Sequence, residues 1–503
     1  MMKYAHMRAH YKTRGYFPSC SPKSEAISVI LKWPLRTLAA AALFAGLAAC
    51  TAGPNYQRPA VETPAAFKEQ GNWKQAEPRE LEPRGKWWEI YGDPLLGGLL
   101  EQVSVSNQNL ARAEAQYRQA LALLDSSRAG FFPSVTGGLS STRSRASATT
   151  IAQPSATPVS RGVVTNHNLP FQASWAPDVW GNISRAVEAG EAGVKASAGD
   201  LEAARLSAQA ALAQSYFQLR AIDAQQLLLE DTVAAYDKSL KLVQNQYAAG
   251  IVAKADVVQA TTQIRTTRAQ AIDLGVQRAA LEHAIALLVG KPPSALSIPR
   301  APLVVAVPRI PAALPSTLLE RRPDIAAAER RMAQANAQIG VAKAAYFPAL
   351  TLSASAGYQS ATMADWLTMP SRFWSIGPSI AQNLFDGGLR RAQTAQAIAA
   401  YDANVAAYRQ TVLAGFQQVE DNLAALRILA EEAEEQDEAV KSAEQSLALA
   451  LNQYKAGTVS YLNVVVAQTT ALANQRAAVD LLSRRVNASV QLITALGGGW
   501  TAR

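Results

Sequence analysis

Residues 245–258 read "NQYAAGIVAKADVV" and residues 452–465 read "NQYKAGTVSYLNVV". They align without a gap at an offset of 207. Each closes a long proline-free run, turns at a glycine (Gly250 or Gly457) and opens a second apolar-periodic run. A glycine at that point is what a left-handed helix C-cap requires. The register persists on both sides: Leu219-Arg220 faces Leu426-Arg427, and Gly290 faces Gly497. Further upstream "NLARAEAQYRQA" (109–120) faces "DIAAAERRMAQA" (324–335), and "RAGFFPSVTG" (128–137) faces "KAAYFPALTL" (343–352), both at an offset of 215. The difference of eight falls in strand and loop regions, where insertions are tolerated. The chain is a tandem duplication.

Each half has the same order: helix, strand pair, very long helix, tight turn, long helix. Residues 182–247 and 389–454 contain no proline. At about 1.5 Å per residue such runs make helices of roughly 100 Å, too long for a globular domain. Leu229, Val233, Tyr236, Leu240, Val243 and Tyr247 form a heptad seam, matched by Val440, Ala443, Leu447, Ala450 and Tyr454. The returning helices carry Val257, Ala260, Ile264, Ala271, Leu274, Leu281, Ile285 and Leu288, interrupted by Thr267 and Arg278; the second copy is interrupted at Asn474 and Arg485. Such polar seam residues either set register or face water.

After each Phe-Pro hinge the period changes to two. Leu169, Phe171, Ala173 and Trp175 share one strand face; so do Leu350, Leu352, Ala354, Ala356 and Tyr358, and then Trp374, Ile376, Pro378 and Ile380. Alternation over about ten residues, with aromatics at the ends, is the mark of membrane β-strands. Four strands cannot close a barrel, and an open edge in lipid leaves backbone groups unsatisfied. The chain must therefore assemble, a dimer giving eight strands and a trimer twelve.

The net charge of +9 sits mostly in the leader. Residues 1–49 hold seven Lys or Arg and one acid, and the remainder 41 basic and 38 acidic residues, so a nucleic-acid partner is not expected. The leader ends in "LAAAALFAGLAAC", a signal-type apolar run too short to span a bilayer comfortably. Its last four residues look like a bacterial lipobox that would make Cys50 the acylated first residue. Cleavage there leaves one cysteine, so no disulfide is expected. No other segment approaches 18 consecutive apolar residues. His6, His10, His167 and His283 show no metal-ligand spacing, and no nucleophile elbow is present, so no enzyme, metal or cofactor is expected beyond covalent lipid on Cys50. Asp178 and Asp386, in equivalent turns after strands, suit helix caps. Glu431, Glu432, Glu434, Glu435, Asp437 and Glu438 suit a solvated helix face. In "ERRPDI", Pro323 and Asp324 suit the first turn of a helix.

"GPNYQRP" (53–59), "WWEIYGDPLLGGLL" (87–100), "WAPDVWG" (175–181), "LLERRPDI" (318–325), "NLFDGG" (383–388) and the paired "YAAG" and "YKAG" turns occur in order across the duplication. With them the chain resembles the outer membrane factors, the TolC-like and NodT-type lipoproteins of tripartite efflux systems. The resemblance implies a homotrimer anchored in the outer membrane and extending into the periplasm: a 12-stranded β-barrel, four strands per chain, continuous with a long α-helical coiled-coil barrel. It implies partners in a periplasmic adaptor (membrane fusion protein) and an inner-membrane pump, and no nucleic acid. It places adaptor contacts at the tips Gly250, Ile251, Val252, Gly457, Thr458 and Val459, and a periplasmic gate at Leu462. Several relatives carry an acid where this chain has Val466. The expected division is signal peptide 1–49, lipidated segment 50–97, first repeat 98–291, proline-rich linker 292–315, second repeat 316–498 and tail 499–503. The expected function is passive export of small molecules such as drugs through an RND-type pump; the alternatives are a periplasmic coiled-coil scaffold or adaptor lipoprotein, or a duct for type I protein secretion.

Overall fold

The computed structural model describes residues 52–59, 68, 86–145, 147, 162–308 and 321–498. The expected signal peptide 1–49 and Cys50 lie outside the described residues, as does the tail 499–503.

The duplication is visible as pairs of equal elements. Helices α1 (Pro94–Ser106) and α2 (Gln108–Ala129) lead into strands β1 (Ser134–Gly137) and β2 (Ser140–Ser144), with β3 (Val164–Trp175) returning. Then come α3 (Asn182–Ala248) and α4 (Lys254–Leu288). The second copy runs α5 (Pro323–Ala344), β4 (Ala349–Ser360), β5 (Arg372–Ala381), α6 (Leu389–Lys455) and α7 (Tyr461–Ala495). Helices α3 and α6 are both 67 residues, α4 and α7 both 35, and α2 and α5 both 22. Sixty-seven residues make about 100 Å of helix.

Strands β1 and β2 are one strand with a gap. Ser134 pairs with Ser174 and Ser144 with Val164 in a single unbroken register. The gap lies opposite Pro170, whose carbonyl accepts from Gly138 N at 2.9 Å but which has no N–H to return. The sheet is antiparallel throughout, in the order β1/β2, β3, β4, β5. The helices follow the same order, α2 against α3, α3 against α5, α5 against α6. The two sequence repeats therefore do not form separate domains but share one layer. Among the described residues, both edges of the sheet, and the matching edges of the helical layer, have no partner.

Midway along, α1, α3, α4 and α7 meet in the largest apolar cluster. Trp87, Trp88 and Tyr91, from a 3-10 turn, fill it; Trp87 and Trp88 stand edge to face, and Tyr91 packs on Phe217. This is the position of the "WWEIYGDP" motif. Asp93 caps α1 through Leu95 N and Leu96 N and also accepts from the Tyr216 hydroxyl at 2.5 Å.

The seam residues Leu229, Tyr236, Val243, Ala260, Ile264, Ala271 and Leu274 are buried as the heptads require. Thr267 is buried too and returns its hydroxyl to Gln263 O. It does not face water. Arg278 enters a charge cluster with Asp223 and Arg220: Arg278 Nε donates to Asp223 Oδ1 at 2.7 Å, and Arg220 Nη1 to Oδ2 at 3.3 Å. The linker is laced into the same cluster. Arg278 donates to Ile298 O, Arg220 to Pro299 O, Ala301 N to Asp223 and Ile298 N to Glu282. The second repeat has Ala430 and Ser489 in place of Asp223 and Glu282, so Arg485 has no such cluster to join.

Candidate conduction path and its ends

The strand register decides what the sheet is for. Every cross-strand set stacks the alternating residues: Val135 with Ala173, Ala354 and Ile376; Gly137 with Phe171, Ala356 and Trp374; Trp175 with Leu352 and Pro378. One face is thus apolar, and its large side chains stay exposed in the single chain; Val135, Trp374, Ile376 and Ile380 are each at least 70% accessible. The opposite face stacks Ser134 with Ser174 and Ser353, and Gln172 with Ser355 and Ser375; Thr136, Ser140, Thr142, Asn166 and Asn168 share it. No paired residue of that face is charged.

An apolar face left bare over a whole sheet belongs in lipid. Twelve residues of β3 or β4 at about 3.3 Å each, tilted about 45°, span roughly 28 Å, the thickness of a hydrocarbon core. Aromatics mark both ends. At the helix junction the Trp180 ring stacks on Phe347 at 4.8 Å, and Trp175 Nε1 donates to Phe131 O. At the loop end Trp366 packs against His167 and donates to Tyr358 O. Among the described residues no helix is long and apolar enough to cross a membrane.

The turns that return strand to helix are capping devices. Asp178 accepts from Ile183 N, Ser184 N and Ser184 Oγ at the start of α3. Asp386 accepts from Gly388 N and from Arg390 Nε at 2.5 Å, and that guanidinium holds its carboxyl below the usual range. In "ERRPDI", Pro323 is the first residue of α5, and Arg322 grips Asp324 with two nitrogens, Gln418 and the carbonyl of Ala495. That motif is architecture: it ties α5 to α6 and α7.

The "GPNYQRP" segment lies along the helical layer. Ala52 N donates to Trp180 O, Arg185 Nε to Ala52 O and Asn336 to Pro54 O; the Tyr56 hydroxyl reaches Glu329, and Arg58 reaches the Tyr408 hydroxyl. Gly53 (φ +97°) sits so close to Gly340 that a Cβ on it would stand 2.4 Å from the Gly340 Cα. Burial and Glu329 together push the Tyr56 hydroxyl well above its ordinary value. Gly340, Asn336 and Glu329 occupy one stripe of α5. The opposite stripe, with Arg331, Gln334 and Gln338, lines an open hollow of about 370 Å³ together with Ser197, Asp200 and Asn404. Arg331 pairs there with Asp200. The layer therefore has one side covered by this segment and an opposite side with an open hollow.

At the far end, both long helices close alike. Ile251 N donates to Gln246 O around Gly250 (φ 68°), and Thr458 N to Gln453 O around Gly457 (φ 74°). Beneath the turns Val243, Ala260, Tyr454, Tyr461 and Val464 form an apolar plug, with Val252 and Val459 packed against it. Of the six expected tip contacts, those two valines are thus partly turned inward, while Gly250, Ile251, Gly457 and Thr458 are exposed. Burial, with Tyr454, Tyr236 and Asp256 nearby, pushes the Tyr461 hydroxyl up to about 12. Leu462 is not in the plug. It is 53% accessible and lies one turn from Val466, at 55%.

Among the described residues no three His, Cys, Asp or Glu side chains converge to hold a metal ion. A family model described as outer membrane efflux protein matches residues 99–291 and 314–498. The chain belongs to the outer membrane efflux protein family. It is 31% identical over 416 residues to the pyoverdine export outer membrane protein OpmQ of Pseudomonas aeruginosa, covering 82% of this chain and 87% of OpmQ. It is 33% identical to the solvent efflux pump outer membrane protein SrpC of Pseudomonas putida, covering 90% and 96%. The solved outer-membrane channel OprN superposes with a TM-score of 0.80 at 30% identity, covering 90% of this chain and all of OprN. VceC from Vibrio cholerae superposes at 0.76 with 29% identity, covering 84% and 100%. This outer membrane efflux protein is a channel component of the outer membrane, helical for most of its length with a short membrane sheet. The strand faces, the caps and the glycine turns are legible in the sequence. The Asp223 cluster is signalled only by the unmatched pair Asp223 and Ala430 once the repeats are aligned.

Proposed function

We propose that three copies close edge to edge into a 12-stranded barrel and a helical tunnel, the exit duct of a tripartite pump that passively conducts small molecules. The observation that carries this reading is the shared order of strands and helices, open at the same two edges. One closure then satisfies both the sheet and the helical layer. The polar sheet face and the helical face with the open hollow become one continuous wall. OpmQ is named for pyoverdine export and SrpC for a solvent efflux pump, which supports a small-molecule route; the pump that feeds it is of the RND type on this reading. The exposed tips are the docking surface for a periplasmic adaptor, itself joined to an inner-membrane pump. Cys50 carries the lipid: Ala52, two residues later in sequence, is tied to Trp180 at the strand–helix junction, level with the membrane face. Leu462 and Val466 form apolar rings that close the resting mouth by dewetting. No cofactor takes part.

Native mass measurement of the mature protein in detergent tests the assembly. A trimer is expected; a monomer or dimer would count against the reading. Planar-bilayer recordings should show a low resting conductance.

A further inference from the structure

We propose that the outer rim of the lipid-facing sheet is a binding surface for phosphate-bearing lipid headgroups of the outer leaflet. The proposal rests on the reading that the strands cross the membrane with the end of β2, the start of β3, the end of β4 and the start of β5 outward. Its basis is an asymmetry of charge. Residues 131–177 contain no Asp or Glu, and residues 346–385 contain one acid, Asp365. Asp365 is turned into its own loop, where Thr362 Oγ1 donates to Oδ2 at 2.7 Å and the hydroxyls of Thr368 and Ser371 donate to its carbonyl. The described arginines of this region, Arg143, Arg145 and Arg372, stand at the loop end. Arg143 pairs in register with Thr165, and Arg372 with Tyr358, so alternation puts both on the apolar face, the former in step with Val135 and the latter with Trp374 and Ile376. Both are exposed, as is Arg145 just beyond β2, and no carboxylate among the described residues pairs with any of the three.

Arginine on a lipid-facing surface is costly at the midplane and harmless near the interface, so its position says what it meets. Here it meets the headgroup layer. Trp366, packed on His167, and the exposed Trp374 are amphipathic rings of the kind that settle at that level. Met363, Leu367 and Met369, all about two-thirds exposed, continue the apolar surface across the loop above them. Three unpaired guanidiniums beside an apolar and aromatic rim are complementary to a group with acyl chains below and phosphate above, because the planar guanidinium fork takes phosphate oxygens in pairs. The opposite face of the sheet, being uncharged, offers nothing equivalent.

The test places the full mature protein in phosphatidylcholine nanodiscs containing traces of diphosphoryl lipid A or its dephosphorylated form, and reads retained lipid by native mass spectrometry. Wild type should retain the diphosphoryl lipid preferentially. Each headgroup-level arginine is worth about a fivefold change in lipid partitioning, so Arg143→Gln with Arg372→Gln should reduce the preference about 25-fold. Arg143→Lys with Arg372→Lys, which keeps charge but loses the fork, should fall between. Arg128→Gln, at the helix junction, should leave the preference intact. Equal retention of the two lipids by wild type, an unchanged preference in the Gln double variant, or full displacement by millimolar inorganic phosphate would each overturn the proposal. Nanodisc insertion is scored separately by β-sheet circular dichroism. Failure of wild type to insert would strike the membrane reading itself, and failure of the Gln variant alone is resolved with each single substitution.

Discussion

Replacing Asp223 by Ala should release the linker from the middle of the molecule. The Asp223 side chain is 1% accessible, and those of Arg220 and Arg278 are 7% and 12% accessible, so solvent screens little of the interaction. Removing the shared carboxylate leaves Arg220 without a counter-charge and Arg278 with Glu282 alone, 3.1 Å away. Breaking a buried pair by deleting one partner costs about 3–5 kcal/mol, more than the pair itself is worth against an apolar replacement. The same change removes the acceptor for Ala301 N. Because Ile298 and Pro299 are held through the two arginines, the loss should appear as opening of the strap at 298–301. Arg300, 59% accessible and only loosely paired with Glu230, is a ready trypsin site once that strap opens. With cleavage slow against reclosing, its rate follows the open population, so 3–5 kcal/mol predicts roughly 10²–10⁴-fold faster cutting after Arg300. Asp223→Asn, which keeps one acceptor, should fall well short of this. In the double variant Asp223→Ala, Arg278→Ala the effects should be less than additive by more than about 1 kcal/mol. Cutting that rises less than fivefold in Asp223→Ala would refute the account of the cluster as the linker's clasp.

Other expectations follow from single contacts. Leu462→Ala, at an exposed position, should raise resting conductance in planar bilayers while trimer yield and melting stay near wild type; destabilisation by the ~2–5 kcal/mol of a core truncation, without a conductance change, would make it a packing residue instead. Cys50→Ser should abolish lipid labelling, and continued labelling would move the anchor elsewhere. Burial and the hydrogen bond to Asp93 push the Tyr216 hydroxyl up to about 12 from its ordinary 10, so its contribution to stability is complete below pH 10 and is lost as pH rises from 10 through 12. Tyr216→Phe should flatten that part of the pH–stability curve, seen as a difference from wild type in thermal unfolding. Gly340→Ala should loosen residues 52–58, because its Cβ would stand 2.8 Å from Arg185 Cγ and Cδ; faster amide hydrogen exchange over residues 52–58 reports it.

How much of this was legible in the sequence varies with the range of the interaction. Helix lengths, the strand faces and the Asp178 and Asp386 caps depend on residues a few positions apart, and periodicity or turn chemistry exposes those directly. The gap at Gly138 was not legible, because its cause is Pro170, 32 positions away and across the sheet. Nor was the fate of the polar seam residues. Thr267 and Arg278 look alike as interruptions, yet one bonds its own helix and the other holds a linker, and only the fold distinguishes them. The course of residues 52–59 along α5 was equally hidden, since a strand-like segment with two prolines names no partner until Gly340 leaves room for it.

The open edges have a kinetic meaning. Strand β5 on one side and β1/β2 on the other each leave about half their N–H and C=O groups without a partner among the described residues. In hydrocarbon every such group costs several kcal/mol, so a single chain in the bilayer would carry a penalty on the order of tens of kcal/mol. An inserted monomer is then too rare to be a stop on the way. On the proposed edge-to-edge closure, chains meet before or while they enter, and the rate of insertion should rise more steeply than linearly with their concentration. Anchors that hold chains on a surface would act by crowding them together, changing the speed of assembly and leaving the finished channel as it was.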